Sequence, residues 1–162
     1  MKCEFPSPEW VAAYEKATME DDVLKGLLKK WDATVCTYFL AYPKIGMDED
    51  VSVLLDLRGG VARSAKLVPI EEGRDADFVF SGIYDKWKLV IREELDPVRA
   101  AISGQLKLTG SLPTIVRNIK LIKRLVKCTS LFDSVFPDEY DDPSKLDEYK
   151  AYIKKFRSEL KV

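Results

Sequence analysis

Hydrophobic residues recur three and four positions apart over the first 31 residues, a spacing typical of helices with one buried face. Ser7-Pro8-Glu9 supplies a capping hydroxyl, a proline at the first helical position and an acid in the first turn. Asp21-Asp22 opens a second apolar series that ends at Trp31. The pattern therefore predicts two short helices.

The period then changes to two, and β-branched and aromatic residues become common. Gly59-Gly60 indicates a hairpin, and the polar residues 71–75 indicate a second turn. We interpret this stretch as an antiparallel meander. Its predicted strands cover residues 33–42, 51–57, 61–70 and 78–80.

Helical spacing returns from Tyr84 to Leu95, and Asp96-Pro97 begins another short helix. Alternating residues 106–109 predict a fifth strand, which leads into a long amphipathic helix over residues 114–128. An acidic connector and a last helix, built on Leu146, Tyr149, Ile153 and Phe156, follow. We expect a main domain over 1–132, with the connector and last helix, 133–162, packed on it.

Composition excludes most catalytic chemistry. The 162 residues include 26 basic and 27 acidic side chains and no histidine, the usual general base and metal ligand. The acidic pairs are adjacent in sequence, so their side chains point apart on a helix or strand. We predict no enzyme activity, no cofactor and no metal site.

Cys3, Cys36 and Cys128 are too far apart in sequence to suggest a zinc site, and their odd number suggests no paired disulfide set. The first residues do not resemble a signal sequence, and no run reaches the roughly 18 apolar residues of a membrane span. We expect a cytoplasmic location.

A run of seven basic residues and no acidic one lies between Pro97 and Phe132. A cationic amphipathic helix of this kind docks on anionic lipid headgroups, or else is a solvated face neutralised by the acidic tail after Asp133. The net charge of −1 disfavours nucleic acid. The candidate headgroup or membrane contacts are the five basic residues of the long helix: Arg117, Lys120, Lys123, Arg124 and Lys127.

One succession of residues resembles the sterol carrier protein type two lipid-transfer family. It consists of Asp96-Pro97, a helix of small residues, and Gly104-x-Leu106-x-Leu108-x-Gly110. Residues 78–87, Trp10 to Tyr14 and Lys30 to Thr34 also look like stand-alone prokaryotic members, so the likeness covers about Phe5 to Lys120.

The resemblance implies an α+β fold: a five-stranded, mostly antiparallel sheet covered by helices on one side, with a C-terminal helix added. An apolar tunnel between sheet and helices would hold a fatty acyl chain, an acyl-CoA or a sterol-like molecule. The family shares no catalytic residues, so only lining positions are carried over. The candidate lining residues are Phe39, Phe78, Phe80, Trp87, Ile102, Leu106, Leu108, Leu112, Ile115 and Ile119.

Two hypotheses of different classes follow. The first is a non-catalytic lipid carrier with possible peripheral contact with an anionic membrane. The alternative is a protein-interaction or regulatory module with a filled core, whose basic helix 114–128 binds an acidic partner. The sequence does not define an oligomeric state.

Overall fold

The computed structural model of the protein describes residues 2–162, which contain strands, helices and short 3-10 turns. In chain order the strands and helices are β1 (Lys2–Glu4), α1 (Pro8–Glu20), α2 (Asp22–Leu28), β2 (Thr34–Phe39), β3 (Val51–Asp56), β4 (Ser64–Val68), α3 (Ile70–Arg74), β5 (Phe78–Gly82), α4 (Tyr84–Ile91), α5 (Pro97–Ser103), β6 (Lys107–Thr109), α6 (Leu112–Arg117), α7 (Ile119–Lys127), β7 (Asp133–Val135) and α8 (Pro143–Leu160).

A five-stranded sheet with the order β4-β3-β2-β5-β6 forms the centre of the fold. Neighbouring strands are antiparallel except β2 and β5, which are parallel. The meander prediction is wrong at this point. Residues predicted as a polar turn form α3, which contacts β3 and β2 and leads the chain from edge strand β4 to the free edge of β2. The α+β class and five-stranded sheet are confirmed.

The two faces of the sheet are covered unequally. Val35 and Phe39 of β2 belong to the main core, which also contains the buried residues of α1, α4 and α7. Cys36 and Tyr38 point the other way, into a small cluster with Val79. The main core therefore lies on the face of the sheet that α1, α4 and α7 cover.

Two further predicted elements differ from the structure. The helix predicted over 114–128 is interrupted at Asn118, whose side-chain amide donates to the carbonyl of Thr114 at 2.8 Å. Its backbone, with φ −114° and ψ 32°, is not helical, so α6 and α7 are separate. The strand predicted over 61–70 shortens to β4, because the preceding residues complete the turn after β3.

The tail packs against the N-terminal part of the chain. β7 pairs in parallel with β1, a two-stranded ribbon that the hydrophobic pattern did not predict. On α8 the Tyr149 hydroxyl donates to the carbonyl of Pro6 at 2.5 Å. The Arg157 guanidinium donates to the carbonyls of Glu49 at 2.7 Å and Asp50 at 2.6 Å. Helix α8 therefore contacts both the first residues and the loop before β3.

None of the helices in residues 2–162 combines the length and hydrophobicity that crossing a membrane requires.

Gly110 is expected to tolerate no side chain. Its φ of +117° is unfavourable for other residues, and an added Cβ would lie 2.7 Å from the carbonyl oxygen of Asp77. Gly110→Ala should therefore lower the free energy of unfolding in urea by more than about 1 kcal/mol. Gly26→Ala is the matched control: no atom lies within 4 Å of its added Cβ, and alanine in a helix should raise stability by up to about 1 kcal/mol. Equal effects of the two substitutions would contradict this account.

Candidate functional site

Two small adjacent spaces lie between the sheet and the helices, each with a volume of about 40 Å³. Four residues line both: Tyr14, Thr37, Trp87 and Val126. The first space is completed by Val35, Leu55, Phe80, Pro97, Ile122 and Leu125. The second is completed by Trp10, Phe39, Val90, Ile91 and Thr129.

The walls are formed by three helices whose apolar faces meet the sheet. Helix α1 begins where the Ser7 hydroxyl accepts from the Trp10 amide at 3.1 Å, and it carries Tyr14 one turn further. Helix α4 contributes Trp87, whose indole donates to the carbonyl of Tyr38 at 3.0 Å. The buried face of helix α7 covers the spaces on the side opposite the sheet. The position of the Trp87 ring is thus fixed by a hydrogen bond at its edge.

Polar atoms are few around these spaces, and those present are hydrogen-bonded. The Tyr14 hydroxyl donates to the carbonyl of Leu125 at 2.8 Å and so joins α1 to α7. Burial raises the pKa of Tyr14 above its ordinary value, so this hydroxyl stays neutral. The Thr37 hydroxyl is more loosely held, 3.5 Å from the carbonyl oxygen of Val53.

Neither a metal-binding cluster nor a thiol with a lowered pKa is found among the described residues. No group of three or more His, Cys, Asp or Glu side chains in residues 2–162 could hold a metal ion. Burial raises the pKa of Cys36 to about 12 and that of Cys128 to about 11. These thiols are therefore protonated near neutral pH, as expected for structural rather than nucleophilic cysteines.

The spaces are much smaller than the roughly 300–1,000 Å³ that small-molecule pockets usually have. A surface cleft of about 200 Å³ lies beside the first space and shares Pro97 and Val126 with it. Ion pairs connect α7 with the residues around this cleft, Lys123 to Asp96 at 3.3 Å and Lys127 to Glu93 at 3.4 Å. The cleft is thus bounded on one side by α7.

The structure brings three of the predicted lining residues to these spaces: Phe39, Phe80 and Trp87. Others lie in the same core without lining the spaces: Phe78, Leu106 and Ile115, which are buried, and Leu108 and Ile119, which are partly buried. Ile102 and Leu112 lie at the surface, 61% and 37% exposed, contrary to the expectation of an interior position.

Of the four residues that line both spaces, the sequence prediction missed three: Tyr14, Thr37 and Val126. Thr37 could have been found, because it is a polar residue in an otherwise apolar central strand. Tyr14 follows Trp10 at helical spacing, and that spacing marks the buried face of α1. Nothing in the pattern distinguishes Val126 from the other apolar residues of α7.

Three of the five candidate headgroup contacts form ion pairs within the protein. Besides Lys123 and Lys127, the Arg124 guanidinium holds both carboxylate oxygens of Asp21, at 2.7 and 2.6 Å. This contact lowers the pKa of Asp21, and burial opposes it. Arg117 and Lys120 form no ion pair with the residues that the structure describes.

The acids that neutralise α7 are not those of the tail. They come from the start of α2 and from the segment between α4 and α5. Two tail acids, Asp138 and Glu139, instead pair with Lys88 of α4 at 2.8 and 2.6 Å. The expectation that the acidic tail neutralises the basic helix is therefore wrong. Three basic residues of α7 are neutralised within the protein, but by acids from other segments.

Tyr14→Phe is expected to loosen α7. It removes the only hydrogen bond of the Tyr14 hydroxyl with the described residues, and should lower the free energy of unfolding by about 1 kcal/mol. Amides of α7 should exchange with deuterium faster than in the unmodified protein. Tyr42→Phe is the control, because the Tyr42 hydroxyl makes no hydrogen bond within residues 2–162. Unchanged exchange in α7 would show that Tyr14 does not hold this helix.

Comparisons with known proteins agree with this architecture. Residues 13–123 match the sequence model of the SCP-2 sterol transfer family. The fold resembles a conserved hypothetical protein from Thermus thermophilus, suggested to be a sterol carrier protein, with 28% identity, a TM-score of 0.70 and coverage of 80% of this chain and 90% of that one.

A crystal structure of sterol carrier protein 2 has 29% identity and a TM-score of 0.69, and the match covers 76% of this chain and 95% of that one. The sterol carrier protein domain 2 of Helicoverpa armigera, with 18% identity, a TM-score of 0.52 and coverage of 75% and 93%, shares the fold. No curated protein matched the chain. Because the family model spans more than half of the residues, the chain is a member of the SCP-2 sterol transfer family.

Proposed function

We propose that this protein binds lipids non-covalently between its sheet and α7 and carries them between membranes or proteins. The fatty acyl, acyl-CoA or sterol-like molecules named by the resemblance are its candidate ligands. The observation that carries the proposal is the pair of spaces beneath α7, lined by apolar walls and by no charged side chain. Unfilled apolar space next to a surface cleft is where a hydrocarbon chain enters at least energetic cost. Each methylene buried there contributes about 0.8 kcal/mol.

Binding requires the spaces to widen, and α7 is the element that moves in this proposal. Its connection to α6 is already non-helical at Asn118. Its ion pairs with Asp96 and Glu93 involve lysines that are about half exposed, and such pairs contribute little to stability. A small displacement of α7 by a ligand therefore breaks two weak ion pairs and gains apolar burial, whereas the Arg124 pair with Asp21 and the Tyr14 bond to Leu125 oppose a larger one.

Transfer would take place at an anionic membrane, with α6 and the start of α7 as the contacting surface. Arg117 and Lys120 are exposed there, and Val116 on the same turn is 45% exposed. A cation near an anionic membrane contributes about 1 kcal/mol, and an exposed apolar residue adds to this by insertion. Lys123 and Lys127 join them when their pairs with Asp96 and Glu93 break. Arg124 stays with Asp21.

The alternative, a protein-interaction module with a filled core, is favoured by one specific observation. Neither space reaches the usual size of a ligand pocket. In this second hypothesis α7 remains closed, and its exposed basic residues bind an acidic protein. The two hypotheses differ in whether the interior takes up hydrocarbon, which the following experiment measures.

Val126→Trp should reduce lipid uptake by filling the spaces that Val126 lines. The full chain, stripped of bound lipid, is mixed with 1-dodecanol, dodecanoic acid and cholesterol and analysed by native mass spectrometry. We expect at least one adduct with the unmodified protein and about tenfold less with the variant, a difference of about 1.4 kcal/mol. Val23→Trp, the same change at an exposed helical valine, should bind normally.

Overpacking by tryptophan can itself destabilise a core, so Val126→Ala serves as the second variant. It enlarges the spaces and should retain or increase uptake. Absence of every adduct from the unmodified, folded protein would contradict the carrier and leave the interaction module.

Charge reversal tests the membrane surface separately. Arg117→Glu combined with Lys120→Glu should reduce co-sedimentation with vesicles that contain phosphatidylserine, by about 30-fold if each reversal removes about 1 kcal/mol. Lys154→Glu with Lys155→Glu, which reverses two exposed charges on α8, is the matched control. An equal loss in both double variants would point to net charge rather than to a surface on α6 and α7.

A further inference from the structure

The spaces beneath α7 are suited to uncharged ligands. No Asp, Glu, Lys or Arg is among their lining residues. An ionised headgroup placed there would lose its hydration and gain no opposite charge, which is strongly unfavourable. At the neighbouring cleft Lys123 and Asp96 already form a pair at 3.3 Å. An ionised carboxylate is therefore poorly accommodated inside. At the cleft, Lys123 is not free to bind it, because this lysine is already paired with Asp96.

The side chains that line the spaces can accept further hydrogen bonds but have no unused donor. Every polar lining side chain already donates to a protein oxygen. The hydroxyl donors are Tyr14 to Leu125 at 2.8 Å, Thr129 to Val126 at 2.6 Å and Thr37 to Val53 at 3.5 Å. The indole donors are Trp87 to Tyr38 at 3.0 Å and Trp10 to Ser134 at 2.8 Å. A hydroxyl that donates can still accept through its lone pairs, whereas an indole N–H cannot accept. The interior thus presents hydroxyl acceptors and no unused donor.

Thr37 is the acceptor best placed for a ligand. It lines both spaces and is half-buried, although it lies in the central strand of the sheet. Its own donated bond, at 3.5 Å, is at the limit of hydrogen-bond length, so its hydroxyl is the least constrained of the three. Tyr14 and Thr129 are held by much shorter bonds.

Building on the lipid-carrier function proposed above, we infer that the site selects uncharged lipids that carry a free hydroxyl, such as long-chain alcohols, over ionised fatty acids. The ligand hydroxyl donates to the Thr37 hydroxyl oxygen, and its hydrocarbon lies against Phe80, Trp87 and the underside of α7. Thr37 sets this preference because it supplies an acceptor where an apolar residue would supply none. A carboxylate cannot donate to Thr37, and a hydrogen bond accepted from this hydroxyl would replace the Thr37 bond to Val53 without restoring the hydration that the charge loses.

The test compares 1-dodecanol with dodecanoate, which have equal chain lengths and differ in the polar end. Binding to the full chain is followed by intrinsic fluorescence, since Trp10 and Trp87 line the spaces. Near neutral pH we expect dodecanol to bind at least about tenfold more tightly, because the ionised end must be desolvated. Dodecanoate binding should strengthen as the pH falls, since its protonated form is neutral and donates a hydrogen bond.

Thr37→Val keeps the shape and strand preference of the residue and removes its acceptor. It should weaken dodecanol binding by about fivefold, the value of one hydrogen bond, and leave dodecanoate unchanged at neutral pH. Thr37→Ser restores the hydroxyl and should restore the preference. Both variants retain the apolar surroundings, so a folded protein is expected, and circular dichroism checks it.

The outcomes separate this inference from the function on which it rests. If neither probe nor cholesterol binds, the carrier proposal itself fails. If dodecanoate binds as tightly as dodecanol near neutral pH, the carrier stands and the selectivity is refuted. If Thr37→Val weakens both probes equally, Thr37 acts through packing, and its assignment as the hydroxyl acceptor is refuted.

Discussion

The structure depends on covering one face of its central strand. β2 lies between β3 and β5 and presents Val35, Thr37 and Phe39 to the helices, so a large apolar area must be kept from water. The cover comes from two distant parts of the chain, α1 and α7, which are joined by the bond between Tyr14 and Leu125. This bond and the ion pairs of α7 connect the helix to the rest of the fold, and small unfilled spaces lie beneath it.

Helical and strand periodicity predicted most elements, five strands among them, because each buries one face, and the family resemblance implied that the strands form one sheet covered by helices. Periodicity did not show which strands pair with each other. Nothing in β2 or β5 alone states that they pair in parallel; this follows from α3 leading the chain to the free edge of β2. β1 and β7, of three residues each, are too short to show alternation. The break at Asn118 arises from a local hydrogen bond that leaves the hydrophobic spacing intact.

The candidate site was predicted in part for the same reason. Phe39, Phe80 and Trp87 are large apolar residues in elements certain to be buried, so their inward position followed from residue type. Thr37 became part of the site through its strand register, which sets it opposite Val53 and Phe80. The pairing of Arg124 with Asp21 joins residues 103 positions apart, a contact that no local charge pattern reveals.

The ribbon between β1 and β7 has a consequence for how the chain folds during synthesis. The strand partner of β1 within the described residues lies about 130 positions later, so the first residues emerge from the ribosome long before it exists. Contacts of such long sequence separation form late, after much loop-closure entropy has been lost. The residues that the family model matches, 13–123, all precede β7 in the chain. Phe5, fully buried in the finished protein, packs on Trp10, Phe39 and Tyr84, but its aromatic cluster is complete only once Phe136, which directly follows β7, has been synthesised.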